Sequence, residues 1–229
     1  MAGIVGPEIT IDGLVLYLDA ANPKSYPGTG TVWSDLSGNS NNGALTNSPT
    51  FNSNNGGNFI FDGVNDYVSR AYNSSFDIRT GITFHVTLKR NSVYNQNSDC
   101  FILSRPPSWY FYDAYNSGYI RGDVYIDGIR KGACSAFLPY DNQWYTINYT
   151  YNSFTGVAVM YRNGNIVSSV QLTGLSNYLI DYSASNFSTI FLDNLGKSYY
   201  VSNLILYNRA LSSQEILQNY NATKGRFGL

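Results

Sequence analysis

The chain reads as an all-β protein, and three observations predict it. Aromatic residues are abundant and charge is scarce: 229 residues hold 21 Tyr, 12 Phe, 3 Trp, 21 Gly and 27 Asn, with only 13% charged. Apolar and polar residues alternate along most of the sequence from residue 12 onward. Two Asx-Gly dipeptides, Asp127-Gly128 and Asn163-Gly164, each stand between extended runs. Aromatic side chains suit a pleated, half-buried surface, alternation is the period of a strand, and Asx-Gly supplies the positive φ angles of a type I′ hairpin turn.

In chain order, "GLVLYLDA" (13–20) is the first expected strand. The polar stretch 35–58 keeps Leu45 and Phe51 and reads as long loops with one short strand. In "FDGVNDYVS" (61–69), Asp62-Gly63 opens a four-residue connection that predicts a hairpin between "NFIF" and "DYVSR". "GITFHVTLK" (81–89) sets Ile82, Phe84, Val86 and Leu88 on one face and Thr83, His85 and Thr87 on the other, which reads as exposed. "SWYFYDAYNSGY" (108–119) is the densest aromatic segment, with Trp109 and Phe111 on one face and Tyr110 and Tyr112 on the opposite one. "DVYIDGIRKG" (123–132) and "VAVMYRNGNIVSSV" (157–170) are the two hairpins, and "QWYTINYTY" (143–151) and "SNLILYN" (202–208) complete the strands. One helix is expected near the end. Ser212 and Glu215 have capping-box spacing, Ile216, Leu217 and Tyr220 form an apolar stripe, and Gly225 stands where a stop is expected, giving about two turns.

Composition narrows function by exclusion. Fourteen Lys plus Arg against 15 Asp plus Glu give a net charge of −1, without the basic patch of a nucleic-acid binder or the basic run that holds an anionic membrane. No stretch approaches the roughly 20 apolar residues of a membrane span. "MAGIVGPEITIDG" lacks the basic start and long apolar core of a signal peptide, so a soluble chain is expected. Cys100 and Cys134 are either a pair or two buried thiols.

Four segments then occur in order from Leu14 to Tyr220: "LVLYLDAANPKSYPGTGTVWSDLSGNSNNGAL", "FIFDGVNDYVS", "QWYTINYTYNSFTGVAVMYRNGNIV" and "NLILYNRALSSQEILQNY". Together they resemble the laminin-G-like branch of the concanavalin A-like lectin and glucanase superfamily. Its members typically show a Trp opening a strand, a hairpin ending in Tyr-x-Asn-Gly, and a Tyr-Asn-Arg-Ala-Leu-Ser run before Glu-Ile; here these are Trp144, Tyr161 to Gly164, and Tyr207 through Ile216. The resemblance implies one concanavalin A-like jelly-roll domain over 13–229, a sandwich of two antiparallel sheets with one short C-terminal helix, after a lead at 1–12. The "DLSGN" stretch and the "NYNATKGRFGL" ending are similar to modules on tailed-phage virions. That likeness implies a non-enzymatic virion structural protein, a capsid-decoration or fibre/adhesin subunit made in the host bacterial cytoplasm and displayed on the virion surface. Its implied partners are other virion proteins and further copies of itself in a homo-oligomer. The alternative is a glycan-binding lectin module, with or without calcium, for attachment to a host surface. In one place the chain departs from the pattern: many relatives carry a Trp in the strand that here reads "FHVTLK".

No catalytic residue is assigned. The superfamily's glucanases use closely spaced glutamates on one strand, and glycoside hydrolysis needs two carboxyl groups roughly 5–5.5 Å apart in retaining enzymes. This chain has two glutamates, Glu8 in the lead and Glu215 in the capping box. His85 has no Gly-x-Ser-x-Gly elbow to serve. Asp62, Asn65 and Asp66, or Asp35, Asn39 and Asn42, offer oxygens of the kind calcium takes, but Asp, Asn and Gly are favoured in turns for their own sake, and no metal or other cofactor is assigned. A sugar platform is best sought at Tyr110, Tyr112, Asp113, Tyr115 and Asn116, where aromatic faces stand beside an amide and a carboxylate. Residues 1–12 could act as an arm docking on a neighbouring subunit by strand addition.

Overall fold

Both Asx-Gly turns form as the sequence predicts. Asp127 and Gly128 take φ of 52° and 71°, Asn163 and Gly164 51° and 77°, and each pair closes an antiparallel hairpin. The computed structural model describes residues 8–90, 99–115, 117–174, 178–181, the backbone of 189–193, and 197–229.

In chain order the strands are β1 (Leu14–Asp19), β2 (Val32–Trp33), β3 (Gly43–Thr46), β4 (Thr50–Asn52), β5 (Asn58–Phe61), β6 (Tyr67–Arg70), β7 (Gly81–Arg90), β8 (Cys100–Arg105), β9 (Trp109–Asp113), β10 (Tyr119–Ile126), β11 (Ile129–Phe137), β12 (Trp144–Asn152), β13 (Val157–Arg162), β14 (Asn165–Gln171), β15 (Thr189–Asp193) and β16 (Tyr199–Tyr207), with helix α1 (Ser213–Thr223) after them. The first sheet runs β14-β13-β12-β7-β16-β5-β4, with β1 also paired to β16. The second runs β11-β10-β9-β8-β15-β6-β3-β2, and both sheets are antiparallel throughout. The architecture is a jelly-roll sandwich with one C-terminal helix. No helix among the described residues is long and apolar enough to cross a membrane.

The core lies between the sheets. Phe84 on β7 packs on Trp109 and Phe111 of β9 at 5.2 and 5.3 Å between ring centroids, and on Tyr149 of β12 at 5.6 Å. Tyr149 presses so close to β10 that a Cβ at Gly122 would fall 2.2 Å from its ring, so that position must be glycine for the sheets to approach. Cys100 and Cys134 are both buried and no disulfide joins them.

Four expectations are corrected. The stretch 35–58 holds two short strands, β3 and β4, and leads into β5. The 61–69 segment is not a hairpin: β5 belongs to the first sheet and β6 to the second, so Asp62 to Asp66 carries the chain from one layer to the other. Gly63 has φ 82° there, and a Cβ would meet the Lys197 backbone at 2.8 Å. The helix has 11 residues, about three turns, and continues into a 3₁₀ turn, Lys224–Arg226, that runs through Gly225 instead of stopping at it. Its capping box forms, but the buried face is Ile216, Asn219 and Thr223, while Leu217 is 46% exposed.

The fourth correction is His85, which is buried, not exposed, as are Thr83 and Thr87. Outer faces of antiparallel sheets are open only where nothing covers them. Here Tyr161, Ile205, Tyr207, Leu211 and Ile216 form a second apolar cluster that seals α1 onto the outer face of the first sheet. Asn219 adds polar pins, its Oδ1 accepting the Thr10 N–H at 2.8 Å and its Nδ2 donating to the Tyr207 hydroxyl at 2.9 Å. Residues 8–10 therefore dock on the chain's own helix; residues 1–7 of the expected arm lie outside the described residues.

Candidate functional site

Among the described residues, none covers the outer face of the second sheet over β8–β11. Cross-strand pairing fixes who shares that face: Phe101 opposes Tyr112, Tyr112 opposes Arg121, Tyr110 opposes Asp123, and Tyr125 opposes Arg130. A β-bulge slips the β10–β11 register between Gly122 and Val124, at Gly132 with φ 77°. Such an extra residue re-aims the side chains beyond it. Arg130 and Ser135, five residues apart, consequently both stand on the outer face, opposite Tyr125 and Arg121.

The aromatic rings touch in series. Centroids lie 5.3 Å apart for Phe101 and Tyr110, 6.0 Å for Phe101 and Tyr112, and 5.7 Å for Tyr110 and Tyr125. Phe101, Tyr110 and Tyr125 are half-buried, so each shows part of its ring to solvent. Arg130 lies over them, 4.6 Å from the Tyr112 centroid and 5.6 Å from that of Tyr110. Its Nε donates to Oδ2 of Asp123, a buried carboxylate beside the Tyr112 hydroxyl. Burial pushes the Asp123 carboxyl above its ordinary range, against the pull of Arg130. Burial first, and then the Asp123 carboxylate, push the Tyr112 phenol up to about 12.

This face contains only part of the predicted platform. Tyr110 is where it was expected. Tyr112 shares the face but is 3% exposed, roofed by Arg130 and Phe101. Tyr115 is 50% exposed on the turn after β9, its N–H held by Asp99 Oδ1 at 2.8 Å. Asn116 lies outside the described residues. Asp113 is corrected outright: it is fully buried and points between the sheets, where Arg90 and Lys197 form ion pairs with it and the Tyr199 hydroxyl donates to it. A carboxylate so paired in the interior has no free oxygen for a sugar. Phe101, Asp123, Tyr125, Arg121 and Arg130 were missed. The Asp127-Gly128 turn, which sets Tyr125 opposite Arg130, was the available signal for two of them.

Several oxygens of the two Asx-rich loops are committed to backbone N–H groups. Asp62 Oδ1 accepts the N–H of Val64 at 2.8 Å and of Asn65 at 3.4 Å, and Asp66 Oδ2 accepts that of Asp62 at 3.2 Å. Asp35 accepts N–H groups of Tyr17, Ser37 and Asn41, all at 2.9 Å, while Asn42 Oδ1 accepts that of Asp35 and Asn39 donates to the carbonyls of Leu14 and Val15. Both are Asx turns that anchor loops. A hollow of about 450 Å³ beside α1 includes Tyr17, Asp19 and Arg226. Its polar groups are also mutually engaged, since Asp19 takes Arg226 at 2.8 and 3.1 Å and the Tyr17 hydroxyl at 3.0 Å. The outer face of β8–β11 differs in keeping half-exposed aromatic rings beside an Arg130 whose Nη pair donates to no protein acceptor among the described residues.

No family model and no curated protein sequence matches this chain. Solved structures do. The chain is similar to the binding domain of Paraclostridial Mosquitocidal Protein 1, with a TM-score of 0.72 at 16% identity over 93% of this chain and 52% of that one. It is similar to a botulinum neurotoxin type C structure described as showing cell entry dependent upon interaction with two ganglioside molecules, with a TM-score of 0.69, 13% identity, and 93% and 52% of the two chains covered. The binding domain of botulinum neurotoxin DC in complex with SialylT gives 0.70 at 14%, with the same coverage. At such identities the likeness establishes a shared β-sandwich fold, and the chain spans about half the length of these binding domains.

Proposed function

We propose that this protein is a non-catalytic glycan-binding module whose sugar site is the outer face of β8–β11. One observation carries the reading: the contiguous, half-exposed series Phe101, Tyr110 and Tyr125, held beside polar groups on a rigid sheet. Sugar rings stack on aromatic faces while polar neighbours take the hydroxyls, and clustered exposed aromatics mark interaction surfaces. The neighbours of like fold support it: two are described as binding domains, and two are described with ganglioside molecules or SialylT. The absence of catalysis is supported by the placement of both glutamates beside the first sheet: Glu8 lines the hollow at α1, and Glu215 is paired with Arg209 in the helix cap.

The test is binding of the intact protein to a panel of immobilised oligosaccharides, with Tyr110→Ala as the comparison. Burying such a ring is worth about 1.5–3 kcal/mol, so Tyr110→Ala should weaken binding by about tenfold or more at a temperature where the variant remains folded. Unchanged affinity in the variant would overturn the assignment of this face. The order of sequence motifs favours a second, compatible reading: a subunit displayed on a phage particle. That reading expects a homo-oligomer, and light scattering that finds a monomer at micromolar concentration would remove its assembly component.

A further inference from the structure

Arg130 is immobilised on three sides. Its Nε is committed to Asp123, and its guanidinium lies over the rings of Tyr112 and Tyr110. The Nη pair donates to no protein acceptor among the described residues, and the side chain is 39% exposed. A planar fork fixed in this way has already lost the rotamer freedom that a surface arginine would give up on binding. Arg121 stands on the same face, exposed, with Tyr112 on one side and Ser135 on the other, so no carboxylate opposes it across either strand pair. Tyr112 thus lies between two cations. Two carboxylates act on Arg130, Asp123 as its ion pair and Asp99 at longer range, so Arg121 is the cation on this face that no carboxylate faces across the strands.

We infer that this face selects sugars that carry a carboxylate, the Nη fork of Arg130 gripping it with the aid of Arg121 while Tyr110 and Tyr125 take the sugar ring. The inference rests on the glycan-binding reading above and adds the charge of the ligand to it. Arg–carboxylate pairs are commonly bidentate, and hydrogen bonds to a charged group are about twice as strong as neutral ones. Uronic acids and sialic acids share the required chemistry: a ring with one apolar face and one carboxylate.

Four probes separate the possibilities: a uronate oligosaccharide, a sialylated oligosaccharide, and each of these with its carboxylates reduced to primary alcohols. The intact protein should bind at least one acid form roughly ten- to a hundredfold more tightly than its reduced counterpart. Raising the salt concentration should narrow that gap, because a half-exposed pair is screened. Arg121→Gln, an exposed change, should narrow it as well. Whichever acid shows the gap identifies the source of the carboxylate. Equal affinity for acid and reduced forms of both sugars would overturn the charge inference while leaving the aromatic platform standing. Binding to none of the four would overturn both.

Discussion

On the outer face of the first sheet, Asn148, His85 and Ile205 stand side by side on β12, β7 and β16, and all three are buried. On the outer face of the second sheet, Phe101, Tyr112 and Arg121 stand side by side on β8, β9 and β10, and the row is half-buried at one end and exposed at the other. The difference comes from the C-terminal segment beyond β16. The chain turns at Leu211, forms α1, and lays Ile216, Asn219 and Thr223 over the first sheet, with Ile9 and Thr10 filling the edge. Nothing among the described residues covers β8–β11. One face therefore keeps neutral polar groups sealed from water, including His85 with Asn148 and Asn203 beside it. The other keeps aromatic rings and cations in reach of solvent. Polarity of the outward residues does not separate the two faces; coverage does.

The strongest way to break this comparison is at Asp113, the carboxylate expected on the open face and found between the sheets. It holds Arg90 and Lys197, which are themselves only 3% and 4% exposed. Removing one member of a buried ionic cluster strands the others, at about 3–5 kcal/mol. Asp113→Ala should therefore lower stability by roughly that amount in denaturant unfolding, and weaken sugar binding only as far as it unfolds the protein. A variant of normal stability with weakened binding would return Asp113 to the platform.

How much of this was readable in the chain depended on distance along it. The two hairpins and the helix cap were legible because their determinants are local: Asp127-Gly128, Asn163-Gly164 and the Ser212/Glu215 pair act within a few residues. The face assignment within β9 was legible too, since Trp109 and Phe111 are core and Tyr110 is not. What alternation cannot supply is the partner strand. Asp113 is one residue beyond Tyr112 and falls inward, toward cations 23 and 84 positions away. His85 alternates as a solvent-facing residue should, and is covered by a helix more than a hundred residues later. The missing members of the site, Phe101 and Arg121, join Tyr112 through the register of adjacent strands, 11 and 9 residues away with no Asx-Gly turn to set it, and the bulge at Gly132 that aligns Arg130 with Ser135 leaves no periodic mark. "FDGVNDYVS" misled for the same reason: its turn chemistry is right, but its flanking strands enter different sheets.

His85 gives the finer test of coverage. Burial holds its imidazole down to about 4, far below the ordinary 6.5. Because the folded value is the lower one, the unfolded chain takes up the proton first as pH falls. The contribution to stability is complete above about pH 6.5 and is lost as pH falls toward 4, about 3 kcal/mol over the whole window. Denaturant unfolding at pH 7 and pH 4.5 should show the wild type losing about 2 kcal/mol or more beyond the loss in His85→Gln, whose side chain stays neutral throughout. Carboxylates elsewhere titrate alike in both proteins and cancel. Hydrogen exchange at the lower pH should then show the extra loss of protection concentrated in α1 and the strands beneath it, with β8–β11 retaining theirs until global unfolding. Equal losses in the two proteins would mean that His85 is hydrated in solution and that α1 does not seal the first sheet, in which case the two outer faces are not different in kind.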